Sequence, residues 1–124
     1  MYLSEDGFQV IPNYSFDEVC PSDYRCIILP GTNPIPVLYD KKTIDFLKGC
    51  KGKDLLIAAI SSSPLLLAKA GLLSGKKYTA GIFQEMFELF DFLEKDNYII
   101  RPVVEDGNII TALGMFIGSL HNKF

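Results

Sequence analysis

The chain has 124 residues, 48% of them hydrophobic and 22% charged, with a formal net charge of −3. That length holds one domain with a real core but not two, and the ordinary composition argues against disorder. No lysine or arginine cluster exceeds a pair, which argues against nucleic acid as a partner, and every apolar run is broken too soon for a membrane span.

In chain order, the start Met1-Tyr2-Leu3-Ser4-Glu5-Asp6 lacks the basic head and apolar middle of a signal peptide. Residues Phe8 to Ile11 read as a short extended segment closed by Pro12-Asn13. Ser15-Phe16-Asp17-Glu18 reads as a capped helical turn, because a serine side chain can take orphan backbone amides. Cys26-Ile27-Ile28-Leu29 is a continuous apolar run before Pro30-Gly31, which suits a strand buried on both faces of a parallel sheet, with Cys26 as plain core. The Pro-rich stretch Thr32 to Pro36 reads as a loop, or alternatively as a flap over a pocket. Asp40 is a suitable N-cap for a helix with Ile44 and Leu47 on its inner face and Gly49 as its stop.

The most informative stretch runs from Asp54 to Leu73. Leu55 to Ile60 reads as a second buried strand, Ser61-Ser62-Ser63 as a sharp turn, and Pro64 to Leu73 as the helix that follows. Pro64 suits a first helical turn, where its missing N–H would have been an orphan anyway. Strand, sharp turn and helix in that order lift a side chain above the C-terminal edge of a parallel sheet. Gly75 to Thr79 then reads as a loop feeding a short strand. Phe83, Met86, Phe87, Phe90 and Leu93 fall at helical spacing, a stripe expected to be core. Ile99 to Val104, Asp106-Gly107 and Asn108 to Ala112 form a hairpin signal, and a short helix is expected after Gly114. Strand–helix alternation followed by a late hairpin predicts an α/β fold with a mostly parallel sheet, as one domain over residues 1–124.

Taken together, the segments resemble the ThiJ/PfpI family, also called the DJ-one family, within the class I glutamine-amidotransferase-like superfamily. Ile28-Leu29-Pro30-Gly31 is similar to a strand and loop that normally end in Pro-Gly-Gly. Ala59-Ile60-Ser61-Ser62-Ser63-Pro64 is similar to the family elbow, usually Ala-Ile-Cys, then His or Ala, then Gly-Pro. Leu67 to Thr79 resembles the next helix and strand, and Val104 to Gly114 the late hairpin. The resemblance implies a flavodoxin-like three-layer α/β/α sandwich. It also implies oligomeric assembly, since family members are commonly dimers or larger.

The chain departs from that pattern at the chemistry. The family nucleophile is a cysteine activated by a histidine and an early glutamate; its position here is Ser61. Ser62 stands where some members carry the histidine, and Ala80-Gly81-Ile82 where others do. Ser63 replaces the elbow glycine and Thr32 the second glycine of the oxyanion loop. A thiol ionises near neutral pH, whereas a serine hydroxyl needs a positioned base. The single histidine, His121, is expected to be a solvated tail residue. Ser62 and Ser63 beside Ser61 suggest drift to small polar residues around an idle elbow. The resemblance also implies that a first βαβ unit, roughly 30 residues, is expected ahead of the segment at Phe8. A fold lacking that unit would have the strand at Cys26 as a bare edge.

The functional expectation is a catalytically degenerate ThiJ/PfpI-like domain that retains a binding or assembly role, with Ser61 at the nucleophile position and Gly31, Thr32, Ser62 and Ser63 around the pocket. The alternatives are a hydrolase, amidase or deglycase-like enzyme using Ser61, and a non-catalytic small-molecule sensor. No cofactor or metal is expected, because one histidine and three cysteines without a CxxC pair make a poor zinc set. The partners expected are a second copy of the chain and a small molecule, with no membrane or nucleic acid. Three unpaired thiols point to the cytoplasm.

Overall fold

The computed structural model describes residues 2–3, 9–31 and 33–114. Two short strands, β1 (Tyr2–Leu3) and β2 (Gln9–Val10), pair antiparallel at the start. The main sheet has four strands: β3 (Cys26–Leu29), β4 (Leu56–Ile60), β5 (Val103–Asp106) and β6 (Ile109–Ala112). Their order is β3-β4-β6-β5, with β3, β4 and β6 parallel and β5 antiparallel to β6. This is the expected mostly parallel α/β sheet.

The late hairpin forms where its turn chemistry placed it. Asp106 pairs with Ile109, so the loop is Gly107-Asn108, and Gly107 takes φ +61° at no steric cost. Asn108 donates its Nδ2–H to the Leu55 carbonyl at 2.7 Å, which ties the turn to the entry of β4. Strand β5 starts at Val103, later than the apolar run that begins at Ile99. Ile99 instead donates its N–H to the Tyr78 carbonyl at 2.8 Å, and Tyr78 donates to the Asn97 carbonyl at 3.1 Å, a local bridge outside the sheet.

Three helices cover one sheet face: α1 (Pro34–Leu38), α2 (Lys41–Lys48) and α3 (Pro64–Lys69). Helix α2 starts after Asp40 and stops at Gly49, with Ile44 and Leu47 inside. The Asp40 carboxylate accepts from Thr43 Oγ1 at 2.6 Å. Helix α3 buries Leu65, Leu66 and Leu67 against Ile57, Ala59 and Ile109. It ends at Lys69, sooner than Leu73, because Gly71 turns left-handed at φ +82°. The capped turn at Ser15 is present as a 3-10 turn over Phe16–Glu18, where Glu18 Oε1 accepts from the Ser15 N–H at 3.0 Å.

Three local readings are corrected. Thr32 to Pro36 is not all loop: Asn33 caps α1, whose first residue is Pro34. Cys26 is exposed, because it lies on the sheet face that no helix among the described residues covers. The stripe from Phe83 to Leu93 is not one helix, since only α4 (Met86–Leu89) is helical, and Phe83 is exposed, whereas Leu93 joins the core and Met86, Phe87 and Phe90 pack against it as expected. The expected helix after Gly114 and the tail residue His121 lie outside the described residues.

Candidate functional site

Strand β4 ends at Ile60, and the chain turns through Ser61-Ser62-Ser63 into α3. Ser61 is the one non-glycine residue among the described residues with positive φ, at +63°. That left-handed conformation costs a non-glycine residue about 1–2 kcal/mol, so the surroundings must hold it. They do so through the backbone. The Ser61 N–H donates to the Ala112 carbonyl at 2.8 Å, and the Ser61 carbonyl accepts from the Gly81 N–H at 2.7 Å. Space beneath the turn is equally constrained. Gly114 has φ +73°, and a Cβ there would meet Ile60 Cγ2 at 2.9 Å and Ser61 Cβ at 3.3 Å.

Above the turn lies an open depression of about 490 Å³, lined by Gly31, Asn33, Pro34, Ile35, Ser61, Ser62, Phe83 and Met86. The topology thus brings Gly31, Ser61 and Ser62 together at the C-terminal ends of β3 and β4. Ser63 is fully buried beneath them, with its hydroxyl donated to the Pro30 carbonyl. Thr32 lies outside the described residues.

The first wall, Asn33 to Ile35, falls in the stretch whose alternative reading is a flap over a pocket; the second wall, Phe83 and Met86, has no such signal in the sequence. The stripe predicts core for Phe83 and Met86; Met86 does pack against the core while also lining the depression, and Phe83 is exposed. The Asn33-Pro34 pair, a cap followed by a first-turn proline, is a helix-start signal.

The electrostatics are plain: no lining residue carries an ionisable side chain. Ser61 Oγ has no hydrogen-bond partner among the described residues, and neither has the Ser62 N–H. An elbow uses the amide following its nucleophile as an oxyanion donor. The site therefore has a free amide beside Ser61, and no base lines it among the described residues.

Comparison with known proteins bears on the family and the fold. The family model for the DJ-1/PfpI family matches residues 1–117. The chain belongs to this family. It is 31% identical over 122 residues to DJ-1 protein homolog E of Arabidopsis thaliana, covering 90% of this chain and 30% of that protein. It is 30% identical over 109 residues to Deglycase PfpI of Pyrococcus furiosus, covering 86% of this chain and 63% of that one. The thiJ/pfpI family protein from Bacillus anthracis shares the fold with a TM-score of 0.79 at 22% identity, over 98% of this chain and 59% of that one. The chain spans from 30% to 64% of the length of the curated relatives it matches.

Around this DJ-1/PfpI elbow the supporting shell is aromatic. Tyr98 donates its hydroxyl to the Ala80 carbonyl at 2.9 Å, and Tyr78 donates to the Glu94 carbonyl at 3.1 Å. Burial, with Tyr98 and Glu94 nearby, pushes the Tyr78 phenol up to about 12, and burial also raises Tyr98. Both phenols stay protonated at neutral pH and act as struts. Cys50 is buried and its thiol is pushed up by that burial, which makes it a poor nucleophile.

A larger groove of about 710 Å³ runs between the segment from Pro12 to Val19 and α2. Its charged side chains are paired: Asp17 with Lys42 at 3.1 Å, Glu18 with Ser15, and Asp40 with Thr43 beside it. The smaller elbow depression is the one that holds the strained Ser61, with its uncommitted hydroxyl and the Ser62 N–H. Among the described residues no group of three or more His, Cys, Asp or Glu could hold a metal ion, and no helix is long and apolar enough to cross a membrane.

Proposed function

We propose that this is a catalytically idle DJ-1/PfpI domain whose elbow depression survives as a binding pocket for a small molecule. The carrying observation is the lining itself: Ser61 is at positive φ in the strand-to-helix turn, and none of its neighbours among the described residues can take its proton. A serine hydroxyl without a base is inert at neutral pH. Apolar walls from Pro34, Ile35, Phe83 and Met86, with hydroxyl and amide donors at the base, are the usual composition of a ligand pocket.

Assembly is the second half of the proposal. Strand β3 is an edge of the main sheet, and Ile28 on it is 63% exposed. A second copy of the chain would cover that edge and face. Three free thiols fit a reducing, cytoplasmic setting.

One observation favours the alternative of a serine hydrolase: the uncommitted Ser62 N–H lies where an oxyanion donor belongs. A fluorophosphonate probe on the folded chain separates the two readings. The expected result is no labelling at Ser61. Labelling or hydrolase or deglycase turnover that disappears in Ser61→Ala overturns the idle-domain reading. A thermal-shift screen with small uncharged metabolites is expected to show stabilisation that Ser61→Phe, which fills the depression, abolishes.

A further inference from the structure

The three consecutive serines look interchangeable in sequence, but the structure gives them separate work. Ser61 Oγ faces the depression without a partner among the described residues. Ser62 Oγ donates to the Gly81 carbonyl at 3.1 Å, and Ser63 Oγ donates to the Pro30 carbonyl. Neither carbonyl has another partner among the described residues.

Those two carbonyls sit at the roots of the opposite walls. Pro30 leads through Gly31 into Asn33, Pro34 and Ile35, the first wall. Gly81 leads into Phe83 and Met86, the second. The geometry points to Ser62 and Ser63 as a two-sided clamp, positioning residues that hold the walls of the depression against Ser61. The glycine that the family pattern carries at position 63 has no hydroxyl to give, so this half of the clamp belongs to the present chain.

Local chemistry supports the assignment. Ser63 is fully buried, and a hydroxyl there must find a partner or leave a desolvated polar group behind. Ser62 adds a second tie to a junction already made by the Gly81 N–H and the Ser61 carbonyl. With the Ser61 N–H held by Ala112, the elbow is fastened to three segments of chain, and Ser61 is kept at positive φ without a charged residue nearby. The inference rests on the depression being the binding pocket.

Amide hydrogen exchange on the full chain tests it, residue by residue. One net hydrogen bond corresponds to about a fivefold change in local opening. Ser62→Ala is expected to speed exchange of the Gly81 amide about fivefold and leave Ile35 unchanged. Ser63→Gly is expected to do the reverse, speeding Ile35. The amides of Ile57 and Ile110 in the central strands serve as the reference and should not move. Ser62→Thr, which keeps a hydroxyl, should restore the original Gly81 rate. Unchanged loop rates, or an acceleration shared by Ile57 and Ile110, overturn the clamp. If Ser63→Gly does not fold, the Ser62→Ala and Ser62→Thr pair decides alone. Fluorophosphonate labelling of Ser61 would overturn the idle-domain reading and leave the clamp standing. Uniform exchange would do the opposite.

Discussion

The two faces of the main sheet are built from the same strands and have opposite surroundings. On one face, Ile57, Ala59 and Ile109 are almost completely buried in the core with the three helices, and Thr111 is buried under Thr79, whose N–H its hydroxyl accepts at 2.9 Å. On the other, Ile28 is 63% exposed, Val103 56%, and Leu56 and Ile60 38% each. Neighbouring residues along β4 thus alternate between core and surface while remaining apolar throughout. Parallel strands are ordinarily covered on both sides, and among the described residues no helix covers this apolar face. One face thus carries the packed core, and the other is the face on which the proposed second copy would dock.

The sharpest way to break that contrast is to truncate one residue on each face. Ile57→Ala should cost about 2–5 kcal/mol in denaturant unfolding, because a cavity opens in a packed core. Ile28→Ala should cost under about 0.5 kcal/mol in dilute solution, where its side chain already meets water. Its effect should appear instead as a lower molar mass in light scattering at high concentration. Equal losses of stability at both sites in dilute solution would erase the distinction between the faces.

A second effect reads the aromatic shell around the covered side. The folded Tyr78 phenol lies at about 12, above the ordinary tyrosine value near 10, so the unfolded chain loses its proton first as pH rises. Stability is therefore fully present below about pH 10 and falls between about 10 and 12, by on the order of 2 kcal/mol. Tyr78→Phe should flatten that fall in alkaline unfolding curves. A fall of the same size in the variant would move the cause elsewhere.

The smallest effect lies where the two faces meet, at the end of β4. Ser61→Gly removes the strain of a positive φ but frees the unfolded chain. The two terms leave a net stabilisation of up to about 1 kcal/mol. A clear loss of stability would mean that the Ser61 side chain makes a contact stronger than its backbone strain.

Much of this was legible along the chain. Apolar runs ending in turn residues located β3 and β4, Asp-Gly-Asn located the hairpin, and Asp40 to Gly49 bounded α2 within a residue. The elbow was legible too, because small residues between an apolar run and a proline have few other uses. The walls of the depression were less so. Pro34 and Pro36 read as loop punctuation, although both fall in the first turn of α1, where a missing N–H costs nothing. The aromatic stripe read as a long helix, but the chain leaves α4 at Phe90, and the following segment brings Tyr98 to within 5.7 Å of the Tyr78 ring and 5.3 Å of Phe87. Tertiary packing of that kind overrides local spacing.

What the sequence determined by itself was the order of elements, the sharp turn at Ser61 and the absence there of cysteine and histidine. These are local facts of residue type and spacing, and local physics reads them. Tertiary structure alone decided which sheet face is open, because a continuous apolar run carries no period to distinguish its two sides. It also divided the three serines between one free hydroxyl and two structural ones. Pro30 and Gly81, the carbonyls that Ser63 and Ser62 hold, are distant in sequence and meet the elbow only after the sheet has assembled.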